Sequence, residues 1–213
     1  VSELDITAAG ITVNEPFPHV VFDENTLLRR DEAERLAATL PSLAAMTESV
    51  RTKGSDKTYS MNTLLLHDRG RWLVRREELP GCWRNLLSRL VDSSYRDRLV
   101  GRLGGANEGR VELEVRLSEY PRGGWMSRHT DRPDKVFSQN IYLCPEWRPT
   151  WGGQLLLYHE QTAVQPQASY QPGAGTSVAF VPSDRSWHEV AAVSDSATIP
   201  RRALLLHGYR STA

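Results

Sequence analysis

The sequence predicts a mainly β protein with flanking α-helices, in which two helices brace a sheet sandwich or barrel. Three observations carry this. The apolar pattern changes near residue 110 from helical spacing to strict alternation. Gly, Pro and Asp turns then separate a series of short strand-like runs, "VELEVRLSEY", "FSQNIYLC", "GQLLLYH", "TSVAFVP" and "RALLLHGY". A helix-first, strand-later order of this kind points to helices braced against a sheet sandwich or barrel.

The elements follow in order. Residues 17–22, "FPHVVF", read as a short strand, and Asp23 or Asn25 is placed to cap a helix over residues 26–40, stopped by Pro41. Its stripe is Leu28, Ala33, Leu36, Ala37 and Leu40. Residues 46–62, "MTESVRTKGSDKTYSMN", are polar around a central Gly and read as a loop with freedom to move. A second helix is expected over residues 82–101, with Trp83, Leu86, Leu87, Leu90 and Val91 as its stripe, Pro80-Gly81 before it and Gly101 to close it. In residues 111–120, Val111, Leu113, Val115 and Leu117 share one face and Glu112, Glu114 and Arg116 the other, as in a half-buried strand. No repeat or linker divides the chain, so a single domain over 1–213 is expected, with a helical support region (1–105) and a β core (110–210).

Composition narrows the function. The 213 residues are 39% hydrophobic and 24% charged, enough for a core without covalent staples. The 26 basic residues balance 26 acidic ones, so there is no field to gather phosphates, and nucleic acid is not the expected partner. Cys82 and Cys144 form neither a disulfide framework nor a CxxC site. The opening "VSELDITAAG" has no signal-peptide pattern and no apolar run reaches membrane-spanning length, so no membrane association and a cytoplasmic setting are expected; the oligomeric state is left open.

One stretch carries chemistry. In "YPRGGWMSRHTDRPD", a strand through His129 and Asp131 would turn both side chains to one side. His188, in "PSDRSWHEV", follows another expected strand and is a candidate third ligand. Two histidines and a carboxylate on one face of a metal leave coordination positions open, an arrangement associated with non-haem Fe(II) oxygenases. HxD alone is a weak signal; Asp131 could equally cap a turn or pair with Arg128 or Arg132, and the chain has six histidines. A further observation comes from "PRRALLLHGY", where an arginine 13 residues beyond His188 leads into an apolar run. A buried guanidinium needs an anion.

Together "YPRGGWMSRHTD", "NIYLCPEWRPTWGGQLLLY", "FVPSDRSWHEVAAV" and "RRALLLHGY" resemble the Fe(II)- and 2-oxoglutarate-dependent dioxygenases in their prolyl-hydroxylase-like branch, and "PFPHVVFDENTLL" resembles the entry to that branch. The resemblance implies a double-stranded β-helix, the cupin-like jelly-roll, with Fe(II), 2-oxoglutarate and O2, and ascorbate as an occasional reductant. It implies His129, Asp131 and His188 as iron ligands and Arg201 as the anchor of the distal 2-oxoglutarate carboxylate. Arg202 is a rival for that anchor, because a strand starting one residue later would turn it inward, and the stretch from His188 to the arginine is longer than the family usually has. Tyr142 and Ser138 match positions that hydrogen-bond the same carboxylate; core packing is the alternative for Tyr142. His207 departs from a tryptophan common at its position, and reads either as a core histidine or as a pocket wall.

The resemblance further implies hydroxylation of an unactivated C–H with release of succinate and CO2, and the carboxylate of Asp131 argues against halogenation. Desaturation and ring formation stay open. Expected substrates are a small molecule, an amino acid (proline or a carrier-bound residue among them) or a short peptide, in biosynthesis. Residues 47–62, with Arg51, Lys53 and Lys57, are a candidate lid or a solvated loop. Trp125, Trp151 and Trp187 either line the mouth or pack. A non-oxidative cupin-like isomerase and a non-catalytic jelly-roll binding module are the alternatives from other classes.

Overall fold

A computed structural model describes residues 10–54, 57–105 and 111–211. Its elements in chain order are β1 (Ile11–Val13), β2 (His19–Phe22), α1 (Arg30–Ala38), β3 (Thr47–Arg51), β4 (Tyr59–Asp68), β5 (Arg71–Trp72), α2 (Gly81–Leu90), α3 (Ser93–Arg102), β6 (Val111–Tyr120), β7 (Trp125–His129), β8 (Lys135–Tyr142), β9 (Leu155–Tyr158), β10 (Ala168–Tyr170), β11 (Ser177–Phe180), β12 (Trp187–Val190) and β13 (Arg201–Arg210). Two single-turn 3-10 helices, Arg76–Glu78 and Pro149–Trp151, complete them. The strands join in one curled sheet in the order β1, β2, β11, β8, β13, β6, β4, β7, β12, β9, β10, with β3 and β5 on β4. This is the mainly β jelly-roll with flanking helices. Every pairing between named strands is antiparallel, as a curled sheet of short connections requires.

The long strands β6, β8 and β13 have two buried faces. Val111, Leu113, Val115 and Leu117 of β6, Phe137 and Ile141 of β8, and Leu204 and Leu206 of β13 pack against Leu36, Trp83, Leu87 and Leu99 of the helices. Each fully buried aliphatic side chain contributes about 1.5–3 kcal/mol. Trp83 Nε1 also donates to the Leu36 carbonyl at 3.1 Å, tying α2 to α1.

Several expectations are corrected. Residues 82–101 do not form one helix: Asp92 breaks the run and its carboxylate accepts the Ser94 N–H at 2.8 Å, starting α3 as an N-cap. Gly101 lies inside α3, and Gly104, at φ 72, is the left-handed residue after it. The support region is not purely helical, and residues 46–62 are not simply a loop. Thr47–Arg51 pairs with Tyr59–Thr63, while residues 55–56 lie outside the described set. β-branched and aromatic residues make this hairpin, whose polarity reflects an edge strand. Finally, the polar face of β6 is turned to the barrel interior: the Glu114 side chain is 11% exposed and meets Arg116 there. The first helix begins later than expected, at Arg30, whose N–H donates to Asn25 Oδ1 at 2.9 Å; Asn25, not Asp23, supplies the side-chain contact.

Candidate active site

The antiparallel pairing of β7 with β12 sets His129 directly opposite His188. Their ring centroids are 4.3 Å apart, and Asp131, two residues past His129, brings Oδ1 to 4.0 Å from His129 Nε2. One ligand atom from each of the three residues lies within 4.8 Å of the others. Both imidazoles are oriented by backbone: Nδ1 of His129 donates to the Ser127 carbonyl and Nδ1 of His188 to the Ser186 carbonyl, each at 2.8 Å. Those bonds fix the tautomer and leave the two Nε2 lone pairs facing the shared space.

The electrostatics keep the set ready for a cation. Burial, with His188 and Lys57 nearby, brings the His129 imidazole down to about 2, and burial likewise lowers His188, so both are neutral donors at pH 7. Burial alone would raise the Asp131 carboxyl, but the Lys135 ammonium, with the neighbouring imidazoles, holds it well below the usual carboxylate range. Lys135 Nζ donates to Asp131 Oδ1 at 2.8 Å and Ser138 Oγ to Oδ2 at 2.5 Å. A carboxylate has about four acceptor directions, so these bonds aim the group without exhausting it.

Arg201 opens β13 and is completely buried. Its Nε donates to the Gly153 carbonyl at 2.7 Å, but both terminal nitrogens lack partners. The Tyr142 hydroxyl beside it is also buried and unpartnered, and burial pushes that phenol up to about 12 although the Arg201 charge opposes the shift. The guanidinium carbon lies 4.9 Å from the Tyr120 ring centroid and 5.1 Å from that of Tyr142. Three orphaned donors in one buried cradle fit a carboxylate, and three imidazole and carboxylate ligands fit a divalent iron.

Arg202 points the other way. Its guanidinium is held by Glu119 at 2.8 Å, so the strand register that begins at Arg201 turns Arg201, not its neighbour, inward. Ser138 shares an inward face with Tyr142, but its hydroxyl is on Asp131 and not beside Arg201, because three strand residues lie between it and Tyr142. His207 is a wall residue: Nδ1 meets Glu114 Oε1 at 3.1 Å, and the ring borders a cavity of about 120 Å³ shared with His129, Asp131 and His188. Of the tryptophans, Trp151 is buried against Trp147, and Trp125 donates to Thr58 Oγ1 at 3.3 Å; neither these nor Trp187 lines that cavity. Lys57 does, whereas Arg51 turns its Nε to the Lys53 carbonyl.

Residues 115–207 match the family model of the 2OG-Fe(II) oxygenase superfamily. They form a 2OG-Fe(II) oxygenase domain. The 2-oxoglutarate-dependent dioxygenase thus identified spans the triad and Arg201, and its family implies Fe(II), 2-oxoglutarate and O2. Among solved structures it is similar to a Pseudomonas putida prolyl-4-hydroxylase (23% identity, TM-score 0.60, covering 86% of this chain and 89% of that one). It is also similar to a Trichoplax adhaerens prolyl hydroxylase solved in complex with a hypoxia inducible factor oxygen degradation domain peptide fragment (20%, 0.63, 90% and 83%). At these identities the likeness shows a shared fold. No curated protein matches the oxygenase in sequence. No helix among its described residues is long and apolar enough to cross a membrane.

Sequence reasoning missed Tyr120, Lys135, Gly153 and the pair Glu114 and Arg116. The signal for Tyr120 is its place on the alternation of β6, where it falls on the same face as Glu112, Glu114 and Arg116. Gly153, at φ 70, delivers the carbonyl for Arg201, and a Cβ there would sit 3.1 Å from Arg201 Cδ.

Proposed function

We propose that His129, Asp131 and His188 hold a ferrous ion and that Arg201 and Tyr142 hold the distal carboxylate of 2-oxoglutarate, in an enzyme that hydroxylates an unactivated C–H of a small molecule, amino acid or short peptide. The observation that carries this reading is the buried Arg201 guanidinium with two unpartnered nitrogens beside the unpartnered Tyr142 hydroxyl. An uncompensated buried ion costs several kcal/mol, and a carboxylate between these donors offsets that cost. A metal enzyme without a dicarboxylate cosubstrate has no use for such a cradle.

When bound, ferrous iron with 2-oxoglutarate supplies the activation of O2, so that R–H, O2 and 2-oxoglutarate become R–OH, succinate and CO2. The residues of the chain bind and orient. The Ser127 and Ser186 carbonyls keep the imidazoles in one tautomer, and Ser138 and Lys135 fix the Asp131 carboxylate. Leu155, Phe180 and Leu205 give the cavity apolar walls that exclude water. The carboxylate of Asp131 supports hydroxylation over halogenation. Arg202 is left out of the site because Glu119 neutralises it. A cytoplasmic setting with free Cys82 and Cys144, and ascorbate as an auxiliary reductant, complete the proposal.

The test is coupled turnover: O2 uptake and succinate release in equal amounts with Fe(II) and 2-oxoglutarate, lost in Asp131→Ala. Metal binding without succinate release would refute it.

A further inference from the structure

Four cationic side chains face the barrel interior or its mouth, and three have an assigned neighbour. Arg116 is within 2.7 Å of Glu114, Lys135 within 2.8 Å of Asp131, and Arg201, stacked on the Tyr142 ring, has the 2-oxoglutarate carboxylate as its proposed partner. Lys57 is different. Half-buried, it lines the same cavity as His129, Asp131 and His188, yet it has no hydrogen bond or ion pair among the described residues.

Its backbone is held at that place. The adjacent Thr58 N–H donates to Ser127 Oγ at 2.8 Å, the Thr58 carbonyl accepts from the Ser127 N–H at 2.8 Å, and the Thr58 hydroxyl accepts from Trp125 Nε1 at 3.3 Å. Tyr59 then pairs with Met126 of β7. β7 carries His129, so Lys57 is in fixed register with the strand of the proposed metal site. An ammonium lining the cavity from a backbone held next to β7, with its neighbours' charges already matched by Glu114 and Asp131, selects an anion. On the same inner wall Asn140 has no side-chain partner among the described residues, and its amide carbonyl can accept from an ammonium group.

We infer that the substrate is a free amino acid whose carboxylate is bound by Lys57 and whose ammonium is received by Asn140. This rests on the dioxygenase reading above. It differs from a peptide substrate, because a residue within a peptide carries neither charged group.

The experiment uses the full chain with Fe(II) and 2-oxoglutarate. The twenty free L-amino acids and their carboxamides are compared for stimulation of succinate release, and anaerobic calorimetry then measures binding of the best amino acid. The expected result is that at least one free acid stimulates and its carboxamide does not. Lys57→Met should weaken its binding and raise its KM about ten-fold or more with a smaller change in kcat, as for a lost charge-assisted contact, and Lys57→Arg should retain most of the affinity. Equal stimulation by acid and carboxamide, stimulation only by peptides with blocked termini, no response to any free amino acid, or unchanged affinity in Lys57→Met would each overturn the inference. If 2-oxoglutarate itself fails to bind the iron-loaded protein, the dioxygenase reading falls; if it binds and carboxylate selectivity is absent, only this inference falls.

Discussion

Replacing Arg201 by Met should uncouple the protein from 2-oxoglutarate while leaving its fold intact. In the wild type, 2-oxoglutarate at 100 times its dissociation constant stabilises the folded state by about 2.7 kcal/mol. For a chain of this size that is a rise of roughly 5–10 °C in melting temperature. Removing one partner of a buried charge-assisted contact costs about 2–5 kcal/mol, which is roughly 30-fold or more in cosubstrate affinity. At the same 2-oxoglutarate concentration the stabilisation then falls to about 0.9 kcal/mol or less, a rise under about 4 °C. Without cosubstrate the variant should melt at or above the wild-type temperature, because Met removes a buried guanidinium whose terminal nitrogens are unpartnered, although it also loses the stacking on Tyr120 and Tyr142. Arg202→Met breaks the pair with Glu119 and should lower stability by up to about 1 kcal/mol with the cosubstrate shift unchanged. The assay is thermal unfolding of each protein, loaded with a redox-inert divalent metal, with and without 2-oxoglutarate. A full cosubstrate shift in Arg201→Met, or its loss in Arg202→Met, would refute the reasoning.

Other perturbations test separate parts of the account. Burial alone would raise the Glu114 carboxyl, but hydrogen bonds from His207 and Arg116 bring it down to about 2 from an ordinary 4.5. A folded value below the unfolded one contributes stability that is complete above about pH 5 and lost as pH falls through 2, so Glu114→Gln should flatten the acid limb of melting temperature against pH. Asp92→Ala removes the N-cap of α3 and should cost about 1 kcal/mol in denaturant unfolding without changing cosubstrate affinity. Gly152 has φ 68, and a Cβ there would stand 2.1 Å from the Ala192 carbonyl oxygen, so Gly152→Ala should lose soluble expression or melt far below the wild type, where most surface changes stay within about 0.5 kcal/mol.

The chemistry was more legible than its supports. His129, Asp131 and His188 are proposed from the HxD spacing together with the family resemblance; β7 in fact ends at His129, so Asp131 lies just past the strand, while β7 and β12 pair His129 with His188. Arg201 could be told from Arg202 only in three dimensions, since the choice depends on one residue of strand register and on Glu119 across β6. Alternation also misled. The polar face of β6 reads as the outer half of a half-buried strand, yet the curled sheet encloses it, so Arg116 and Tyr120 line the cavity and Glu114 pairs with Arg116 beside it. Residues 47–62 look like a loop by composition, but β4 enters the sheet between β6 and β7, a long-range pairing that local polarity cannot report. The break at Asp92 has no signal in the apolar pattern, because the stripe of α2 runs up to Val91, immediately before the cap of α3.

The most direct test of the central claim is an anaerobic titration of the metal-free protein with Fe(II) and 2-oxoglutarate, watching for the weak visible charge-transfer band of an iron-chelated keto acid. The account predicts a saturable band in the wild type, lost or weakened in Asp131→Ala and needing far more 2-oxoglutarate in Arg201→Ala but not in Arg202→Ala. Iron bound by the wild-type protein with no band at any 2-oxoglutarate concentration would contradict it.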